Sequence, residues 1–185
     1  MIIIDKNKTH GVIFDLDGTM IDNSPFHIKA WESFSKKYGF PFSTEIYQAK
    51  FSGGTNEAIL PTLFGHNLSG DLLQKYAQEK EALYRKLYAP HIKETRGLKK
   101  LIKQIKLHKL AVAVATSSPI ENIEFALKEL GLYENVFDTI VGPNQVTHGK
   151  PHPEVYLKSR FPGSDSLQWL IWRERRGFYP APQVH

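Results

Sequence analysis

Apolar residues along this chain follow two different patterns, and the switch between them divides it. Val12-Ile13-Phe14 is a short unbroken apolar, β-prone run, as expected of a strand buried on both faces of a parallel sheet. Residues 23–90 then carry a helical period. Pro25 behind Ser24 suits a helix start, Ile28, Trp31, Phe34 and Tyr38 recur at helical spacing, and Gly39 closes the run. Residues 56–63 and 71–87 predict further helix, the second with Leu72, Leu73, Tyr76, Leu83 and Leu87 on a broad apolar side. Beyond residue 90 the two patterns alternate. Residues 97–107 form an amphipathic helix with Leu98, Leu101, Ile102 and Ile105 inward. Residues 110–115 form a buried strand, residues 121–130 a helix stopped by Gly131, and residues 136–141 another strand. Strands alternating with helices predict an α/β fold with a parallel sheet. The helical block after the first strand reads as an inserted cap.

The first strand ends in Asp15-Leu16-Asp17-Gly18-Thr19. Open α/β sheets place their sites at the carboxyl edge, so both acids stand there. Carboxylates this close repel, and a cation between them lets both ionise. An oxygen-only donor set suits Mg²⁺. The strand at 110–115 ends in Thr116-Ser117-Ser118-Pro119. Hydroxyls and backbone N–H groups before a helix start can cradle a phosphate, and Ser118 ahead of Pro119 is equally good helix-capping grammar. Further on, His148-Gly-Lys150-Pro151-His-Pro153-Glu holds a lysine in extended geometry before proline, where its ammonium could neutralise a phosphoryl group.

These three motifs, in this order with a cap after the first, resemble the haloacid dehalogenase-like superfamily, in its β-phosphoglucomutase-like and phosphatase branch with a small helical cap. The resemblance runs from about residue 12 to residue 158. It implies a Rossmann-like, three-layer α/β/α core over residues 1–22 and 91–160, a helical cap over 23–90, and Mg²⁺ as cofactor. It implies Asp15 as the nucleophile that forms an aspartyl-phosphate, Asp17 as the acid/base, and Thr116, Ser117 and Lys150 as phosphate ligands. The expected activity is hydrolysis of a small phosphate monoester, a sugar phosphate. In the cap, His27 matches a His-x-x-Ala-Trp pattern near the acid/base, and Gly53 and Asn56 lie in the substrate loop. Arg85 is the candidate at the cleft, against a plain charged face over residues 80–86. A β-phosphoglucomutase carries a phosphate-gripping arginine where this chain has Asn56, which argues against the mutase alternative. A dehalogenase needs no metal, and a phosphonatase needs a cap lysine for which Lys86 is a poor candidate.

The resemblance fails in the atypical tail, residues 161–185. The family continues with an apolar strand ending in an acidic pair, and no such strand precedes Asp165. Either Asp165 belongs to a fourth motif whose strand was removed by an internal deletion and is a third metal ligand, or the tail is out of frame or otherwise altered and Asp165 is coincidence. On this reading the C-terminal strands are missing, the first strand has an open edge, and an inactive remnant or a non-catalytic binding module becomes an alternative.

Bulk composition narrows the rest. At 185 residues there is room for one domain with an insertion, and 41% hydrophobic with 23% charged residues is ordinary for a globular protein. The absence of cysteine excludes disulfides and thiol catalysis and fits a cytoplasmic setting. The net charge of +5 is scattered, so no nucleic-acid partner is expected, only a small phosphorylated metabolite. No run approaches membrane-spanning length, and residues 1–6 are too soon charged for a signal peptide.

Overall fold

A computed structural model describes residues 9–51, 54–64, 68–159, 168–173 and 177–180. The chain divides into two compact units, Met1–Asp22 with Ile92–His185, and Asn23–His91.

The first unit is built on a five-stranded sheet of order β3-β2-β1-β4-β5. Its strands are β1 (Thr9–Phe14), β2 (Ala111–Ala115), β3 (Thr139–Val141), β4 (Gln168–Arg173) and β5 (Gly177–Pro180). The first four are mutually parallel and β5 is antiparallel to β4. β1 is central, with Val12 beside Val112 on one flank and Leu170 on the other. Val12, Ile13, Phe14, Val112, Ala113, Val114 and Ala115 are all fully buried. That explains why these strands are continuous apolar runs rather than alternating ones.

At its other flank the sheet departs from the sequence expectation. The slot beside β1, expected to be an open edge with its strand missing, is filled by β4 out of the tail. Trp169-Leu170-Ile171-Trp172 has the aromatic and β-branched character that strands favour, and its backbone partners the second edge of β1.

Helices α5 (Leu98–Leu107), α6 (Ile120–Glu129) and α7 (Glu154–Lys158) complete this unit. Leu98, Ile102 and Ile105 are buried on α5, and Ile123, Ala126 and Leu127 on α6.

The second unit is helical: α1 (Ser24–Tyr38), α2 (Thr44–Ile46) running into a π-turn at Tyr47–Phe51, α3 (Asn56–Phe64) and α4 (Gly70–Tyr88). Gly39 ends α1 in the left-handed region at φ 74°, and its N–H is donated to the carbonyls of Lys36 and Ser35. The core is aromatic: Trp31, Phe34, Phe51, Ile59, Leu60 and Leu68, with Tyr38, Phe64 and Tyr76 partly buried against them. Among the described residues, no helix is long and apolar enough to cross a membrane.

Candidate active site

β1 delivers Asp15 to the carboxyl edge of the sheet, and two other segments reach the same place. Asp15 Oδ1 accepts the Leu16 N–H at 2.9 Å and the Lys150 ammonium at 2.7 Å. Lys150 Nζ also donates to the Ala115 carbonyl at 3.0 Å and lies 5.2 Å from the centre of the Tyr156 ring. The last residue of β2 therefore fixes where the ammonium stands relative to the end of β1. The two side chains are 23% and 17% exposed, so water and salt screen the pair less than they would at the open surface.

Asp17 sits in the turn that follows. Gly18 there has φ 66°, a conformation that disfavours any residue with a Cβ, and the Met20 N–H closes the turn onto the Leu16 carbonyl at 2.9 Å. The Ser118 hydroxyl donates to Asp17 Oδ2. Thr116, 1% exposed, directly follows β2. Its Oγ1 accepts the Ser118 N–H at 3.0 Å and its own N–H goes to the Val141 carbonyl at 3.0 Å, so its O–H hydrogen can be donated to an anion. Ser117 beside it is exposed.

Ser118 is the residue whose role the sequence obscured. Its expected helix cap is not made: α6 begins at Ile120 with Pro119 at the cap position and no side chain capping it. The hydroxyl is spent on Asp17 instead.

The helical unit holds the other candidates. His27 on α1 stacks on the Tyr84 ring, with centroids 3.9 Å apart and 4° between planes. The Asn23 amide is 3.3 Å from His27 Nε2 and donates to the Tyr84 hydroxyl at 2.8 Å. Asn56 is the first residue of α3 rather than a loop residue, is buried, and donates to Glu81 Oε1 at 2.8 Å. Arg85 is half-buried on α4. Gly53 and Asp165 lie outside the described residues.

The reading of residues 80–86 as a charged, solvated face holds for Lys86 and fails at the start of the stretch. Lys80 and Glu81 are 3% and 6% exposed and form an ion pair, with the ammonium 4.9 Å from the centre of the Trp31 ring. Removing one member of such a pair strands a buried charge. Lys80→Met is therefore expected to cost about 3 kcal/mol, and the double change Lys80→Met with Glu81→Leu less than that. Urea denaturation of the three proteins checks it.

Residues 12–160 match the family model described as haloacid dehalogenase-like hydrolase. A phosphorylated carbohydrates phosphatase from Thermotoga maritima is 30% identical over 146 residues, covering 79% of this chain and 67% of that protein. A β-phosphoglucomutase from Bacillus subtilis is 28% identical over 156 residues, covering 79% and 66%. Among solved structures, a family IA, variant 3 hydrolase of this type from Entamoeba histolytica aligns with a TM-score of 0.74 at 31% identity, covering 82% of this chain and 69% of that one.

Proposed function

The chain belongs to the haloacid dehalogenase-like hydrolase family, and from that premise we propose that it is a Mg²⁺-dependent phosphatase of a small sugar phosphate. The observation that carries this reading is the convergence of three separate stretches on one sheet edge: Asp15 after β1, Thr116 after β2, and Lys150 bonded to both Asp15 and the Ala115 carbonyl. The name of the Thermotoga relative supports a carbohydrate phosphate as substrate.

An Asp15 carboxylate oxygen attacks phosphorus, and the ester P–O bond breaks. Asp17, in its acid form, gives its proton to the leaving oxygen. The Asp17 carboxylate then takes a proton from the water that attacks phosphorus, the Asp15–phosphorus bond breaks, and inorganic phosphate departs. Splitting one displacement into two lowers each barrier, and the same carboxyl serves both proton transfers. Thr116 and Ser117 donate to the phosphoryl oxygens. Lys150 offsets the charge that accumulates on them, since phosphoryl transfer depends chiefly on positioning and charge neutralisation. Among the described residues, Asp15 Oδ1 takes both of that side chain's hydrogen bonds, which leaves Oδ2 for a cation or a phosphorus centre. Asp15 and Asp17 form an all-oxygen donor pair that fits Mg²⁺ and would hold it, Asp17 through the carboxyl oxygen that does not carry the proton, with Asp165 as a further candidate. When bound, the ion neutralises phosphoryl charge.

The division of the chain supports a core over Met1–Asp22 and the residues after His91, with Asn23–His91 as the cap. His27, Gly53, Asn56 and Arg85 are the cap residues assigned to substrate choice. A mutase would need a cation at position 56 to grip a second phosphate. Asn56 is neutral and its amide is donated to Glu81, which favours hydrolysis.

Phosphate release from a panel of hexose and pentose monophosphates, with Mg²⁺, tests the reading. Turnover of at least one sugar phosphate in preference to p-nitrophenyl phosphate supports it. Isomerisation of a sugar phosphate primed by a bisphosphate, without net phosphate release, would replace it with the mutase. Lys150→Ala is expected to lower kcat by about 10²- to 10³-fold, the scale seen when one preorganised charge-stabilising group is removed. Steady-state kinetics on the preferred substrate measure it.

A further inference from the structure

The loop that carries Lys150 also gathers residues with no part in the phosphatase reading. We propose that His148, His152 and Glu154 form a second metal site, for a borderline divalent ion of the zinc type, clamping the loop around Lys150. One ligand atom from each of the three lies within 4.8 Å of the others, and among the described residues no other group of three does so. His148 Nδ1 is 3.2 Å from Glu154 Oε2, and the two imidazole rings have centroids 4.7 Å apart. His152 Nδ1 faces the Glu154 N–H at 3.3 Å, a long contact that holds this nitrogen only weakly.

Glu154 is the fixed point of the site. Its carboxylate accepts the Thr147 N–H at 2.9 Å, the His148 N–H at 2.8 Å and the Lys158 ammonium at 3.0 Å. The Thr147 N–H foremost, then Lys158 and the His148 N–H, hold its carboxyl down to about 2, so it is always an anion in ordinary buffers. Lys158 is the charge that opposes a metal here. It is also anchored to the Gln145 carbonyl at 2.7 Å, so it keeps a partner if the carboxylate turns to a metal.

Two imidazoles, one carboxylate and a water in the fourth position make a donor set that zinc accepts. Imidazole nitrogen suits zinc, nickel and copper, whereas Mg²⁺ prefers oxygen alone. The chain would thus discriminate between metals by donor chemistry: Mg²⁺ at Asp15 and Asp17, the softer ion at His148, His152 and Glu154. The site stands on its own donors and does not require the phosphatase reading. Its consequence for the loop comes from placement, because His148 and His152 stand two residues to either side of Lys150. One ion joining them holds the loop in the arrangement that presents Lys150 to Asp15.

The test uses the full chain, stripped with chelator and returned to excess Mg²⁺ so that the carboxylate pair is occupied. Zn²⁺ is titrated by calorimetry and Co²⁺ by visible absorption. The expected result is one Zn²⁺ per chain and a Co²⁺ band that saturates at the same ratio. His148→Asn and His152→Asn should each weaken Zn²⁺ by at least about tenfold, while His108→Asn, at an exposed histidine after α5, leaves it unchanged. Both substituted side chains are exposed, and circular dichroism confirms that each variant is folded. The proposal is overturned if the wild type gives neither Zn²⁺ heat nor a Co²⁺ band. It is equally overturned if binding survives both histidine substitutions.

Discussion

Asp15→Asn is expected to remove phosphate-ester hydrolysis, lowering kcat by roughly 10³-fold or more while the protein stays folded. Asparagine has the shape of aspartate, and its carbonyl oxygen can still accept the Leu16 N–H and the Lys150 ammonium now held by Oδ1. What is lost is the anionic oxygen proposed to attack phosphorus. The stability change should be small, because the pair is not fully withdrawn from water. Steady-state kinetics and a thermal melt on the same preparation separate the two effects. A variant that keeps activity within about tenfold of wild type would remove Asp15 from the role of nucleophile.

Asp17→Asn carries the second-largest expected effect, a loss of about 10²- to 10⁴-fold in kcat, the range for a positioned acid/base. Its signature is the leaving group. An alkoxide leaving a sugar phosphate needs a proton as the bond breaks, whereas p-nitrophenolate leaves well without one. The variant should therefore lose more activity on sugar phosphates than on p-nitrophenyl phosphate whenever formation of the aspartyl-phosphate limits the rate. The Ser118 hydroxyl donates to Asp17 and so orients the carboxyl to which we assign this transfer. Equal losses on both substrates in single-turnover measurements of the first step would argue that Asp17 acts otherwise, as a metal ligand alone.

Much of this arrangement was legible in the sequence, and the exceptions have physical causes. β1 and β2 stand out because strands buried on both faces must be apolar throughout, and Asp15 and Thr116 are legible because each directly follows such a run. Helix α1 shows its start in Pro25 and its stop in Gly39, both local backbone effects. Ser118 is ambiguous in sequence because a serine before proline satisfies capping grammar, and only the fold reveals a carboxylate 101 positions earlier as its partner. Lys80 and Glu81 sit in a stretch whose charge density is that of a solvated face. Lys80 lies over the Trp31 ring and Glu81 accepts from Asn56, both partners on other helices. β4 is hard to place from sequence because the tail matches no motif, although Trp169 to Trp172 is strand-prone in composition. Pairing along β1, a long-range contact, is what gives that run its place.

Hydrolysis of p-nitrophenyl phosphate by the purified full chain, with Mg²⁺ and then with chelator, beside Asp15→Asn, tests the central claim most directly. Metal-dependent release of phosphate from the wild type, lost on chelation and absent from the variant, is the predicted result. A folded, soluble wild type with no metal-dependent release above the variant would contradict it, and would leave the convergence of Asp15, Thr116 and Lys150 as the inheritance of a chain that no longer catalyses.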